Sequence, residues 1–97
     1  MSIEQEIVEK GLTAPRLTPD YIESCIVSEQ YYVFPNSTST VCRLELKNGF
    51  GVIGESACAS LDNFNAEIGG KIARANAVQQ TWALEGYLLR QKLSDEA

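Results

Sequence analysis

Thr40-Val41-Cys42-Arg43-Leu44-Glu45-Leu46-Lys47-Asn48-Gly49-Phe50-Gly51-Val52-Ile53-Gly54-Glu55 sets two apolar-rich runs on either side of an Asn-Gly pair. That pair suits the positive φ angles of a type I′ turn, so the stretch reads as a two-residue β-hairpin. The expected register puts Lys47 opposite Phe50, with Leu46 by Gly51, Leu44 by Ile53 and Cys42 by Glu55 on one face. Arg43 by Gly54 and Glu45 by Val52 fall on the other. The Leu44 face is expected to pack inward and the Arg43 face to be wetter. Gly49 to Gly54 also satisfies a Gly-x-Gly-x-x-Gly string, but inside a hairpin arm with no crossover helix at its end. A dinucleotide fingerprint is therefore rejected.

Towards the N-terminus, Tyr31-Tyr32-Val33-Phe34 is a β-branched and aromatic run that adds a third strand, joined by a polar loop over Pro35 to Ser39. Before it, Thr18 caps, Pro19 opens and Asp20 charges the first turn of a helix expected to continue to Glu29. Ile22, Cys25 and Ile26 form its buried stripe. Thr13 to Leu17 is a linker around Pro15, and Ser2 with Gln5 makes a capping box for a short helix over roughly 3–10, stopped by Gly11.

Towards the C-terminus, Ser60 to Asn63 offers N-caps, and helical spacing holds from Phe64 to about Leu93. Phe64, Ile68, Ile72, Ala75, Trp82 and Leu89 are its apolar stripe. A helix of about 30 residues is about 45 Å long at 1.5 Å per residue, longer than a domain of this size is wide. It must break near Gly86 or project onto a second subunit. Ala66, Gly69, Gly70, Ala73 and Ala77 form a band of small residues that lets another backbone approach, either the chain's own sheet or a second copy. The fold class is α+β: two short N-terminal helices, a three-stranded antiparallel meander and one long C-terminal helix. It forms a single domain, with residues 1–17 as helix and linker, 18–60 as helix plus meander, 61–93 as the long helix and 94–97 as a frayed tail. A homo-oligomer, dimer or higher, is expected through the long helix.

At 97 residues, 44% hydrophobic and 22% charged, the chain folds with little stability to spare. Its net charge of −5 is concentrated at the start, where residues 1–30 carry six acids against Lys10 and Arg16. That field repels a phosphate backbone, so direct DNA binding is disfavoured, while a small anionic ligand is not. Cys25, Cys42 and Cys58 are spaced by 17 and 16 residues, which fits no zinc pattern, and no cofactor or metal is expected. The absence of histidine removes the commonest general base. No apolar run approaches the ~18 residues of a spanning helix and the first residues do not read as a secretory signal, so a cytoplasmic location is expected.

Cys58, ahead of the long helix, could feel a helix N-terminus but has no histidine to activate it, and inert packing is the better reading. Glu55 and Glu85 are candidate paired acids only if the fold brings them together. The basic residues say more. Lys71 and Arg74 stand i, i+3 on the long helix and can reach one phosphate, and Arg43 comes from the wetter face of the hairpin. Tyr32 or Phe50 can stack on a base and Asn76 can read its edge, with Tyr31 and Trp82 as further rings. The plainer alternative is a solvated helix face beside core aromatics.

Val41 to Phe50, Gly54 to Cys58, Asn63-Phe64-Asn65, Lys71 to Arg74 and Trp82 to Leu89 together resemble the "gene product 49"-like family of small tailed-phage and prophage proteins. The resemblance spans roughly residues 10–93 and implies an accessory phage protein acting in the host bacterial cytoplasm. It brings no catalytic residues. Architecture and phage context then suggest a non-enzymatic sponge that sequesters a small phosphorylated nucleotide, a cyclic-nucleotide or cyclic ADP-ribose type of signal. The alternatives are an inhibitor that binds a host enzyme through the acidic first 30 residues, and a structural or DNA-metabolism accessory.

Overall fold

A computed structural model describes residues 2–12 and 14–97. Helix α1 (Ile3–Glu9) and helix α2 (Pro19–Ser24) lead into strands β1 (Ile26–Val33), β2 (Ser39–Leu46) and β3 (Gly51–Ala57). A 3₁₀ turn at Leu61–Asn63 precedes helix α3 (Ala66–Glu96). The strands form one antiparallel sheet in the order β1-β2-β3, and α3 lies across β2 and β3 on one face.

The capping chemistry of the N-terminal half stands as expected. Ser2 and Gln5 close a capping box, Gly11 turns the chain at φ 69°, and the Thr18 hydroxyl accepts from the Tyr21 amide with Pro19 at the first helical position. Helix α2, however, ends at Ser24 rather than Glu29. Ile26 already sits opposite Leu46, so the β-branched pair Ile26-Val27 extends the first strand by five residues at the helix's expense.

The hairpin turn corrects the expected register. Leu46 and Phe50 are bonded through Leu46 N to Phe50 O at 2.9 Å, and only Gly49 takes a positive φ, 88°. The connection is therefore a three-residue loop, Lys47-Asn48-Gly49, with glycine in the left-handed position of a G1 bulge. The pairing shifts by one residue: Leu44 faces Val52, Arg43 faces Ile53 and Cys42 faces Gly54. On β2 the expected face stays inward, with Thr40, Cys42, Leu44 and Leu46 buried. On β3 the shift turns Val52 and Gly54 inward and leaves Ile53 and Glu55 exposed, the reverse of the expected faces.

Helix α3 is unbroken through Gly86 and runs to Glu96, past Leu93. Its buried positions are Gly69, Gly70, Ala73, Ala77 and Thr81, not the expected stripe of larger residues, and Ile68 and Ile72 are exposed. The small-residue band serves the chain's own sheet. At Gly54 a Cβ would run into the backbone of Ala73 and Ala77, so helix and strand pass in direct main-chain contact. Close approach selects small residues over large ones, which is why apolar periodicity alone misplaces the buried face.

The buried hydrophobic residues are Ile22, Cys25, Cys42, Leu44, Leu46, Val52, Ala73 and Ala77, half of them alanine or cysteine, so the core is thin. The accessible surface is 6938 Å², against about 5,500 Å² for a compact monomer of this mass. The radius of gyration is 16.6 Å, where about 12–13 Å is usual for this length. A single chain thus leaves on the order of 1,400 Å² of surface that a compact fold would hide.

Candidate functional site

The six residues expected to converge on a ligand are held in separate places. Arg74 projects from the β1 side of α3, where its Nε donates to Glu29 at 2.8 Å and its Nη2 to both oxygens of Glu23 at 3.0 Å. Two carboxylates, one from α2 and one from β1, therefore neutralise it. The hydrogen bonds to Glu23 and Glu29 hold the guanidinium above its ordinary pKa, and the Arg74 bond holds the Glu29 carboxyl below its own. Arg74 is a structural clamp joining α2, β1 and α3.

Lys71 stands one turn nearer the N-terminus of α3, paired with Glu67 at 3.5 Å, both side chains being largely exposed. With Tyr31, Val33, Thr40 and Gly70 it lines an open groove of about 420 Å³ beside β1. Arg43 is on the other face of the sheet, away from α3, in a loose pair with Glu45 at 3.8 Å and with its guanidinium over Gly51. Tyr32, opposite Val41, shares that outer face, its ring edge-on to Phe34 at 4.9 Å. Asn76 points to the opposite flank of α3 and donates to the Glu55 carbonyl at 2.7 Å. Phe50 lies at the hairpin end, by Gln80, Ala83 and Leu84. Within one chain, Lys71 and Arg74 share a helix flank, while Arg43 and Tyr32 share the far side of the sheet.

The candidate acids do not meet. Asn76 reaches Glu55, and Glu85 lies nine residues further along α3, about 13 Å at 1.5 Å per residue. Cys42 is fully buried and burial pushes its thiol up, while the half-buried Cys58 donates to the Ser60 carbonyl at 3.3 Å. Among the described residues, no three His, Cys, Asp or Glu side chains cluster in a way that could hold a metal ion. No helix among the described residues is long and apolar enough to cross a membrane.

The acidic N-terminal surface is also largely compensated. Glu4 pairs with Arg16 at 2.8 Å, Glu6 with Lys10 at 3.2 Å, and Glu23 and Glu29 with Arg74, so four of its six acids have a basic partner.

Two features lie outside the residues expected to bind a ligand. The first is a cleft of about 400 Å³ between the linker, α2 and the far half of α3, lined by Arg16, Leu17, Tyr21, Glu85, Leu88 and Lys92. Only the folding of the linker back onto α3 brings these together, and no periodicity encodes that. The second is the bare end of α3. Steps of three and four carry the buried face from Gly70 through Ala73, Ala77 and Thr81 to Leu84 and Leu88, with Tyr87 alongside. The sheet ends first: strands of 7–8 residues are about 25 Å long, against about 46 Å for α3. Leu84, Tyr87 and Leu88 continue the core-facing stripe yet are 42%, 76% and 60% exposed. Phe50 and Ile53 extend the apolar patch at the hairpin end.

A family model described as phage protein (N4 Gp49/phage Sf6 gene 66) family matches residues 17–93, which takes in α2, the sheet and nearly all of α3. No curated protein and no solved structure matches the chain.

Proposed function

The chain belongs to the phage protein (N4 Gp49/phage Sf6 gene 66) family, and from that premise we propose that it is a non-enzymatic accessory protein that works as a homo-oligomer and holds its ligand at the boundary between copies. One observation carries this reading: the face of α3 that packs on the sheet continues bare, as Leu84, Tyr87 and Leu88, where the sheet has ended. An isologous contact between two such faces would cover it. The surplus of about 1,400 Å² per chain exceeds the ~800 Å² per partner of a standard stable interface.

The ligand in this reading is a small phosphorylated nucleotide, sequestered without chemistry in the host cell. Of the three candidate cations, Lys71 and Arg43 remain for its phosphates, since their own ion pairs are exposed and weak, whereas Arg74 is withdrawn by two carboxylates. Because Lys71 and Arg43 lie on opposite faces of the sheet, a site using both requires a second copy. The enzyme-inhibitor alternative is less well supported, because four of the six acids of that surface are already engaged by basic side chains.

Thermal-shift measurements with cyclic di- and trinucleotides and cyclic ADP-ribose isomers test the reading, since a ligand bound only by the folded oligomer raises Tm by mass action. At least one class is expected to shift the wild type and not a Leu84→Glu/Leu88→Glu variant. No shift with any of them at high excess would remove the nucleotide, and an equal shift in the variant would remove the α3 contact as the place where it binds.

A further inference from the structure

The two edges of the sheet are treated differently. On β3, Asn76 and Gln80, one turn apart on α3, donate to the main-chain carbonyls of Glu55 and Ile53, so the helix caps that edge. On β1 nothing equivalent is present among the described residues. The strand is eight residues long and contains neither proline nor lysine; its pairing with β2 is irregular between Ile26 and Ser28, its one charge, Glu29, is held by Arg74, and α3 lies over β2 and β3 rather than over its edge. Natural sheets usually blunt such an edge with charge, proline or a covering element.

Its free hydrogen-bonding groups can be assigned. The Phe34 amide donates to Ser39 O at 3.2 Å, which makes 34 and 39 a hydrogen-bonded pair. By antiparallel alternation Tyr32, Gln30 and Ser28 then bond to β2, while Glu29, Tyr31 and Val33 direct their N–H and C=O groups outward.

We infer that β1 pairs antiparallel with β1 of a second copy, joining two three-stranded sheets into one of six strands. A two-fold axis at Gln30 sets Glu29 of each copy opposite Tyr31 of the other, where the phenol that now donates to its own Glu29 at 3.1 Å can reach the neighbouring carboxylate. A two-fold at Glu29 would oppose two like charges and is disfavoured. This contact is separate from the proposed α3 contact. Two different two-fold contacts on one chain generate an even-numbered assembly larger than a dimer. The surplus surface is close to what two interfaces of ~800 Å² per partner would hide.

An antiparallel junction keeps both α3 helices on the same side of the joined sheet. Each lies over β2 and β3, so their axes stand about four strand spacings apart, roughly 19 Å. With helices about 10 Å across, a trough some 9 Å wide remains between them. Its floor is Tyr31 and Val33 of both copies, and each wall carries Lys71 and Glu67. The two open grooves beside β1 become one shared space.

Amide exchange on the wild type, read residue by residue, tests the junction without mutation. The outward amides of Glu29 and Tyr31 are expected to be protected at high protein concentration and to lose at least tenfold in protection on dilution, while Gln30 and Tyr32 stay protected. Exchange of the outward amides at solvent rates at every concentration would overturn the proposal. Tyr31→Pro removes one outward donor and no bond to β2. It is expected to halve the assembly or more, whereas Leu84→Glu/Leu88→Glu leaves a β1-paired dimer and the combined variant is monomeric. An unchanged mass for Tyr31→Pro with native circular dichroism would refute the β1 junction and leave the α3 contact standing. An unchanged mass for the leucine variant would do the opposite.

Discussion

Replacing Gly54 by alanine tests the packing on which the whole fold depends. The new methyl group would sit against the Ala73 carbonyl oxygen and the Ala77 amide nitrogen, both main-chain atoms of α3. No rotamer change can relieve such a contact, so the helix must lift from the sheet by about an ångström and loosen Cys42, Leu44 and Val52 beneath it. Overpacking usually costs about 1–3 kcal/mol, and a backbone-on-backbone clash belongs at the upper end or beyond it. We expect about 3 kcal/mol, a large part of the ~5–15 kcal/mol available to a chain of this length. Urea unfolding followed by circular dichroism would show a much lower midpoint. Ala77→Gly should not rescue it, because the colliding atoms remain. Gly49→Ala, whose cost is only that of a positive φ with open space around the Cβ, should lose about 1 kcal/mol. A Gly54→Ala protein within about 0.5 kcal/mol of wild type would refute the direct crossing of α3 over β3.

Arg74→Ala should destabilise by about 1–2 kcal/mol after allowance for partial exposure, while Arg43→Ala stays within about 0.5 kcal/mol. Because the folded Glu29 carboxyl is held below its unfolded value, its contribution is complete above the ordinary carboxylate pKa and is lost as pH falls through the folded one. Stability measured against pH should therefore fall less on acidification in Arg74→Ala than in wild type. Thr40→Val should raise stability by about 1 kcal/mol in the same urea assay, because the buried Thr40 Oγ1 has no hydrogen-bond partner to lose. Asn76→Ala with Gln80→Ala uncovers the β3 edge and should increase aggregation, read by light scattering, at a cost of about 1–2 kcal/mol. Partial desolvation and the bond to Glu29 push the Tyr31 phenol up to about 12, and the Tyr21 phenol is raised by its bonding to Cys25, so both should titrate late by ultraviolet absorbance and Tyr31→Phe should shrink that late phase.

What was legible in the sequence was local. Caps at Ser2 and Thr18, the glycine turns and the inward face of β2 each follow from a few neighbouring residues. The misreadings came where a tertiary contact outweighed local preference. Asn48-Gly49 suggested a two-residue turn, but one positive φ at Gly49 sufficed, and the extra loop residue exchanged the two faces of β3. Ile26 to Ser28 continued a helical spacing until pairing with β2 drew them into a strand. On α3 the large residues suggested the buried stripe, yet a crossing this tight admits only glycine, alanine and threonine.

The candidate site was less legible, because charge type does not reveal charge pairing. Lys71 and Arg74 were equivalent in the sequence. In the fold, Arg74 meets Glu23 and Glu29 across 51 and 45 residues of chain, while Lys71 pairs with a neighbour on its own helix. Arg43 lies on the wetter face, as strand alternation predicts, but that face turns away from α3. Such separations follow from topology, and a motif cannot state them.

Native mass spectrometry across a dilution series bears most directly on the claim that the working surface lies between copies. The account predicts even-numbered multiples of 10.7 kDa for the wild type and a smaller species for Leu84→Glu/Leu88→Glu. A single 10.7 kDa chain at every concentration would contradict it.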